Sequence, residues 1–235
     1  MGDAVVLGFR SPRVLRLALL GMTSAAPAVA QSFSEFPVPT AGASLAGIAA
    51  GPDRNIWFTE QRGDRIGRIT PTGAITEFPL SEAGSFPHGI AAGPDGSLWF
   101  TLLVGRIGRI STSGDMTEFA IPDVPAEPIE IAAGADGNLW FTDFYNRIGR
   151  VLAGGIPAGL VTYFDIPTSD SSPRGIVLGP DGNMWFTEEA KDQIGRITHS
   201  GQVTEFPVPT ANSGPLASRC PFRKRSALRG AGRQI

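Results

Sequence analysis

Four tryptophans, Trp57, Trp99, Trp140 and Trp185, recur at spacings of 42, 41 and 45 residues, and the same stretch of sequence surrounds each. A period near forty residues restricts a chain to repeat architectures, in which each unit buries its apolar face against the next. The copies read NIWFTE (Asn55 to Glu60), SLWFTL (Ser97 to Leu102), NLWFTD (Asn138 to Asp143) and NMWFTE (Asn183 to Glu188). Eight or nine residues after each Trp comes a second motif: Ile66-Gly67-Arg68-Ile69, Ile107 to Ile110, Ile148 to Val151 and Ile194 to Ile197. A third follows, TEFP at Thr76 and Thr204, TEFA at Thr117 and TYFD at Thr162. Phe36, Phe78, Phe119 and Phe164 each precede the next Trp by 21 residues. Four extra residues between Val151 and Phe164, around Gly154-Gly155-Ile156-Pro157, account for the long spacing. An insertion there falls in a turn, where a repeat fold tolerates it.

Each unit decodes as four strands. The first is Gly-Ile-Ala-Ala-Gly, as at Gly89 to Gly93, and an Asp-Gly turn at 95–96, 136–137 and 181–182 closes a tight hairpin. The first copy has Asp53-Arg54, so its hairpin is expected to be less well specified. The second strand, Leu-Trp-Phe-Thr, is apolar on both faces and so buried on both. Ile-Gly-Arg-Ile is the third. Its recurring arginines read as structural, paired with acids of adjacent units. The fourth, Ile-Thr-Glu-Phe, turns Phe inward and Glu to solvent. All-β units of four strands, sandwiched by their neighbours, are β-propeller blades, of which about four to five are present.

The remaining features divide the chain into residues 1–30, 31–216 and 217–235. Arg10, Arg13 and Arg16 flank a short apolar stretch, Val14 to Met22, and Ala28-Val29-Ala30 precedes Gln31. This is the pattern of a secretory signal peptide, and it predicts a secreted or periplasmic protein. No apolar stretch is long enough for a membrane span. The net charge of −2 gives no reason to expect a nucleic-acid partner, and Cys220, the single cysteine, excludes an internal disulfide. After Phe206 the register calls for a Trp at 227, where Ala227 stands. Gly232-Arg233-Gln234-Ile235 then resembles the run-in to the third strand. A shifted reading frame across about 217 to 230, followed by truncation, would produce this. The other reading is a genuine basic tail carrying Arg219, Arg223, Lys224, Arg225, Arg229 and Arg233. Four blades and a stray strand leave two open apolar faces, which a cap or an oligomer would cover.

LWFTE, IGRIT, ITEFP and PHGI together resemble the streptogramin B lyase family, also called virginiamycin B lyase, over about Ser34 to Leu216. The resemblance implies seven blades and a magnesium-assisted elimination that opens the ester of a cyclic depsipeptide antibiotic, a carbon–oxygen lyase reaction. A base takes the proton α to the carbonyl, and the cation steadies the enolate. The family places this chemistry on a Pro-His-Gly-Ile first strand and on the acid that ends WFTE. Only His88 matches, in Pro87-His88-Gly89-Ile90, and it is the candidate base; Ala46, Ile129 and Arg174 stand at its equivalents. Phe86 takes the place of a preceding Glu, and Leu102 that of the acid. Glu127 stands two before Ile129, without a His beside it. Glu60, Asp143 and Glu188 either ring the mouth and hold Mg2+ or are solvated strand-end acids. Arg174 either binds substrate oxygen or pairs with a neighbouring acid. No one blade carries the full acid–His–acid set. Two readings therefore stand: an exported lyase for a cyclic ester, or a non-catalytic propeller that binds a small molecule or protein, a truncated remnant among them. A calcium-dependent lactonase fits the motifs less well.

Overall fold

The computed structural model describes residues 4–8, 14–20, 33–121, 125–154 and 159–216, the first two segments by backbone alone. Its N-terminal strands are β1 (Ala4–Gly8), β2 (Val14–Leu20) and β3 (Ser34–Pro37), which form one three-stranded antiparallel sheet. Two of them lie within the expected leader. Four four-stranded antiparallel sheets follow, each in simple sequential order. Blade 1 comprises β4 (Leu45–Ala50), β5 (Ile56–Glu60), β6 (Arg65–Ile69) and β7 (Ile75–Pro79). Blade 2 comprises β8 (Pro87–Ala92), β9 (Leu98–Leu102), β10 (Arg106–Ile110) and β11 (Met116–Ala120). Blade 3 comprises β12 (Pro128–Ala133), β13 (Leu139–Asp143), β14 (Arg147–Val151) and β15 (Val161–Asp165). Blade 4 comprises β16 (Pro173–Leu178), β17 (Met184–Glu188), β18 (Gln193–Ile197) and β19 (Val203–Pro207). The fold is an all-β propeller, as the repeat predicts. The first strands β4, β8, β12 and β16 lie side by side in blade order and form the inner rim.

The motif residues explain why the blades form and stack. Asp53, Asp95, Asp136 and Asp181 each accept a bond from the Trp Nε1 four residues on, at 3.1, 3.0, 3.1 and 2.9 Å. That bond ties each hairpin to the strand it introduces. In the second strands, Phe58, Phe100, Phe141 and Phe186 lie flat on Gly67, Gly108, Gly149 and Gly195, where a Cβ would meet the ring at 2.0–2.1 Å. Trp57 points the other way, stacks on Phe78 at 5.5 Å, and packs with Ile90, Leu98 and Phe100 of blade 2. Trp99 and Trp140 repeat this against blades 3 and 4. An indole of roughly 200 Å2 removed from water at about 25 cal/mol per Å2 contributes on the order of 5 kcal/mol, so these seams are the main store of stability.

Three expectations are corrected. The Asp53-Arg54 hairpin forms like the others, with Gly51 N donating to Asn55 O at 2.8 Å, and Arg54 takes the left-handed φ of 64° that Gly96 holds at 76°. The motif arginines do not pair with acids of adjacent blades. Arg68 and Arg150 lie over the Trp and Phe of their own blade and donate to the next blade's carbonyls, Thr112 O at 2.9 Å and His199 O at 3.0 Å. Arg109 pairs with Asp95 of its own blade. The fourth-strand glutamates are not turned to solvent. Glu77 accepts from Thr40 N and Oγ1 at 3.0 and 2.8 Å, and Glu118 and Glu205 do the same for Ser81 and Thr168. Each glutamate thereby clasps the linker that arrives from the preceding blade.

The two ends differ. Phe36 lies against Gly73 as Phe78 lies against Gly114, so the N-terminal strand seals the leading face of blade 1. Trp57, Trp99 and Trp140 are fully buried, while Trp185 is half-buried and Leu178 and Phe206 beside it are 40% and 37% exposed. The aberrant stretch 217–235 lies outside the described residues.

Candidate functional site

Every first strand carries the same irregularity. Its pairing with the second strand shifts register between Leu45 and Ile48, Pro87 and Ile90, Pro128 and Ile131, and Pro173 and Ile176. The two residues inside each shift leave the ladder, and a bulge of this kind re-aims side chains. In blades 1, 2 and 4 the second of the pair is glycine, Gly47, Gly89 or Gly175; in blade 3 it is Glu130. The threonine of WFT holds the bulge. Thr59, Thr101, Thr142 and Thr187 Oγ1 accept from the backbone N of Gly47, Gly89, Glu130 and Gly175 at 2.7, 2.8, 3.2 and 2.9 Å. The first three then donate to the next blade's carbonyl, His88 O, Ile129 O and Arg174 O, each at 2.6 Å. These bonds fix the rim blade to blade.

His88 occupies the first bulge position of blade 2. Its Nδ1 lies 3.2 Å from Ile129 O and 3.7 Å from Glu130 Oε1, both on blade 3. Bonding to a carbonyl requires a proton on Nδ1, so Nε2 is the acceptor of the neutral ring. Burial pushes the His88 pKa down and the positive Arg174 adds to this, against the Ile129 bond, which favours the charged form. The balance favours the neutral ring. Arg174, at the equivalent position of blade 4, bonds Glu189 through Nε at 2.7 Å and is 37% exposed. An open cavity of about 500 Å3 adjoins it, bordered by Ser172, Glu189, Asp192, Asn212 and Gly214. The sequence reading looks for an acid beside His88 within its own blade, finds Phe86 and Leu102 there, and misses Glu130 on the next blade. The signal was a glutamate where three sister blades carry glycine.

Glu60, Asp143 and Glu188 do not join this rim. All three are fully buried rather than solvated. Asp143 accepts from Glu127 N at 3.2 Å, Tyr145 N at 3.0 Å and Arg147 Nη2 at 2.9 Å, which completes an ion pair within blade 3. Glu60 and Glu188 are each pushed up to about 7, first by burial and then by Glu77 and Glu205. Each is a carboxyl group facing its own blade's glutamate. Among the described residues, no three of His, Cys, Asp and Glu gather where one ion would bind them. A hard cation needs several converging oxygens, so these three acids do not fit magnesium. Among the described residues, no helix is long and apolar enough to cross a membrane.

The sequence model of the virginiamycin B lyase family matches residues 27–156 and 145–219. A 43-residue stretch, 18% of this chain, is 44% identical to virginiamycin B lyase of Bordetella parapertussis and of Bordetella bronchiseptica, and spans only 14% of the length of either. Among solved structures, selenomethionine-substituted virginiamycin B lyase from Staphylococcus aureus matches with a TM-score of 0.78 and 35% identity, over 89% of this chain and 71% of that one. A catalytically inactive histidine-to-alanine variant of the Staphylococcus aureus enzyme, with quinupristin, matches with a TM-score of 0.78 and 33% identity, over 92% and 77%. A gluconolactonase from Xanthomonas campestris, 17% identical with a TM-score of 0.56 over 70% and 63%, shares the fold alone.

Proposed function

The chain belongs to the virginiamycin B lyase family, and on that premise we propose that its inner rim binds a small cyclic ester of the depsipeptide type and opens it by elimination. The observation that supports this is the 3.2 Å contact of His88 Nδ1 with the Ile129 carbonyl, which selects the tautomer whose Nε2 accepts a proton, in a setting where burial and Arg174 favour the neutral ring. His88 takes the proton α to a carbonyl. The electrons of that C–H bond form a carbon–carbon double bond, the ester C–O bond breaks, and the carboxylate leaves with its pair. Arg174 holds the oxygen on which charge collects, the task that fixed donors perform in such reactions. Magnesium, which the family resemblance calls for, would add charge at that oxygen; the acids expected to hold it do not fit, and no step here runs through it.

A binding role without chemistry is the second reading. What favours it is that blade 2 pairs its histidine with Leu102 rather than a strand-end acid. Incubation with a streptogramin B, with and without magnesium, followed by mass spectrometry, separates the readings. Elimination gives a linear product of unchanged mass, since no water is added, and His88→Ala abolishes it while binding persists. Binding without product selects the second reading, and the absence of both binding and product overturns the lyase reading. We further propose export through the 1–30 leader: protein expressed from the whole reading frame is expected in the periplasm or medium with an N-terminus near Gln31, and a cytoplasmic protein that keeps Met1 or Gly2 would refute this.

A further inference from the structure

We propose that Glu130 is a positioning residue for His88, a partner supplied across the seam between blades 2 and 3. The inference rests on the reading of His88 as the proton acceptor of the rim. The bulge position of Glu130 is glycine in every other blade, and in blades 1 and 2 the reason is steric. A Cβ on Gly47 would meet His88 O at 2.3 Å, and one on Gly89 would meet Ile129 O at 2.7 Å. Blade 3 breaks the rule: Glu130 N sits 3.2 Å from Thr142 Oγ1, against 2.7, 2.8 and 2.9 Å for the three glycines. A side chain has been placed where the repeat otherwise excludes one, and its carboxylate lies 3.7 Å from His88 Nδ1.

The arrangement divides the work. Ile129 O takes the Nδ1 proton and also the Thr101 hydroxyl at 2.6 Å, so the carbonyl that sets the tautomer is itself fixed. Glu130 lies on the same side of the ring, too far for a direct bond while the ring is neutral. When Nε2 gains a proton, the imidazolium is attracted to the carboxylate, which opposes the effect of Arg174. Among the described residues, Glu130 on β12, 3.7 Å from Nδ1, and Arg174 on β16 are charged groups placed to act on the ring, while the Thr59 and Gly47 contacts of blade 1 are to its backbone carbonyl. A carboxylate behind a histidine that takes a proton at its other nitrogen is how such a base is oriented and its charged form steadied.

The full chain, 15N-labelled in its two histidines, tests this by NMR titration, with His199 as the internal control. In the wild type, His88 shows the Nδ1–H tautomer when neutral. In Glu130→Gln, its pKa shifts down and the Nε2–H tautomer gains population, whereas Glu130→Asp restores most of the wild-type behaviour. Glu130→Gly, the residue of the sister blades, is expected to fold and to match Glu130→Gln. Unchanged His88 titration and tautomer in both Glu130→Gln and Glu130→Gly would overturn the assignment. The readout needs no substrate, so failure of a depsipeptide to bind would count against the proposed function and not against the role of Glu130.

Discussion

At the scale of single residues, the repeat is held by backbone conformations that some of its residues do not favour. Arg54 adopts a φ of 64° at the place where Gly96, Gly137 and Gly182 adopt 76°, 76° and 79°. A side chain with Cβ costs about 1 kcal/mol or more in that region. The hairpin forms regardless because Asp53 bonds both Asn55 and the Trp57 indole. Arg54 is exposed and, among the described residues, its side chain makes no hydrogen bond or ion pair, so little is lost by removing it. Arg54→Gly relieves that cost against roughly 0.5 kcal/mol for the greater unfolded-state entropy of glycine, and is therefore expected to stabilise the protein by about 0.5 kcal/mol or more. Urea denaturation of the two proteins checks it, and an equal or lower midpoint for the variant would contradict the strain argument. The same scale shows what one sequence leaves unread. Glu60 and Glu188 end a strand with a charged residue, which suggested either solvent or an ion. Both are buried instead, each beside a glutamate two strands away, Glu77 or Glu205, that clasps a linker. Nothing in the spacing of one blade indicates a contact made through three strands.

At the scale of the blade, the sequence was far more legible, and the reason is steric periodicity. The Trp and Phe of each second strand point to opposite faces and both are buried in blades 1 to 3, so one motif specifies two interfaces. The glycine of the third strand is needed because the Phe ring occupies the space its side chain would take. Such reciprocal demands recur once per blade and show as a strict 21-residue step from Phe to Trp. The bulge in each first strand gave no comparable sign. Gly47 and Gly89 read as ordinary strand glycines, although their role is to let the next blade's rim carbonyl approach the backbone. Glu130 was hidden for the same reason: its importance lies in departing from a glycine position whose purpose only the packing reveals. The arginines of the third strand were misjudged because their partners are not acids of the next blade: Arg68 and Arg150 lie over aromatic rings of their own blade and donate to carbonyls of the next, and Arg109 pairs with Asp95 of its own.

At the scale of the whole molecule, the seams decide stability, and two of them contain a titrating lock. Glu60 lies against Glu77, whose carboxylate grips Thr40 in the linker entering blade 1; Glu188 lies against Glu205, which grips Thr168 in the linker entering blade 4. Blades 2 and 3 lack such a pair, with Leu102 in one and the Asp143–Arg147 ion pair in the other. Burial raises Glu60 and Glu188 to about 7, above the unfolded carboxyl value of 4.5. Between those values the folded chain binds more protons than the unfolded one, so stability falls as pH rises through the window and levels off above about 7. A shift of this size is worth roughly 3 kcal/mol per group. The protein is expected to melt at a lower temperature at pH 8.5 than at pH 5.5. Glu60→Gln with Glu188→Gln keeps a neutral side chain in both places, so the double variant should lose most of that dependence and exceed the wild type at pH 8.5. Thermal melts across the range measure it. A wild-type melting temperature that is flat or rises from pH 5.5 to 8.5 would show that these carboxyl groups ionise without cost, and that the seams hold by packing alone.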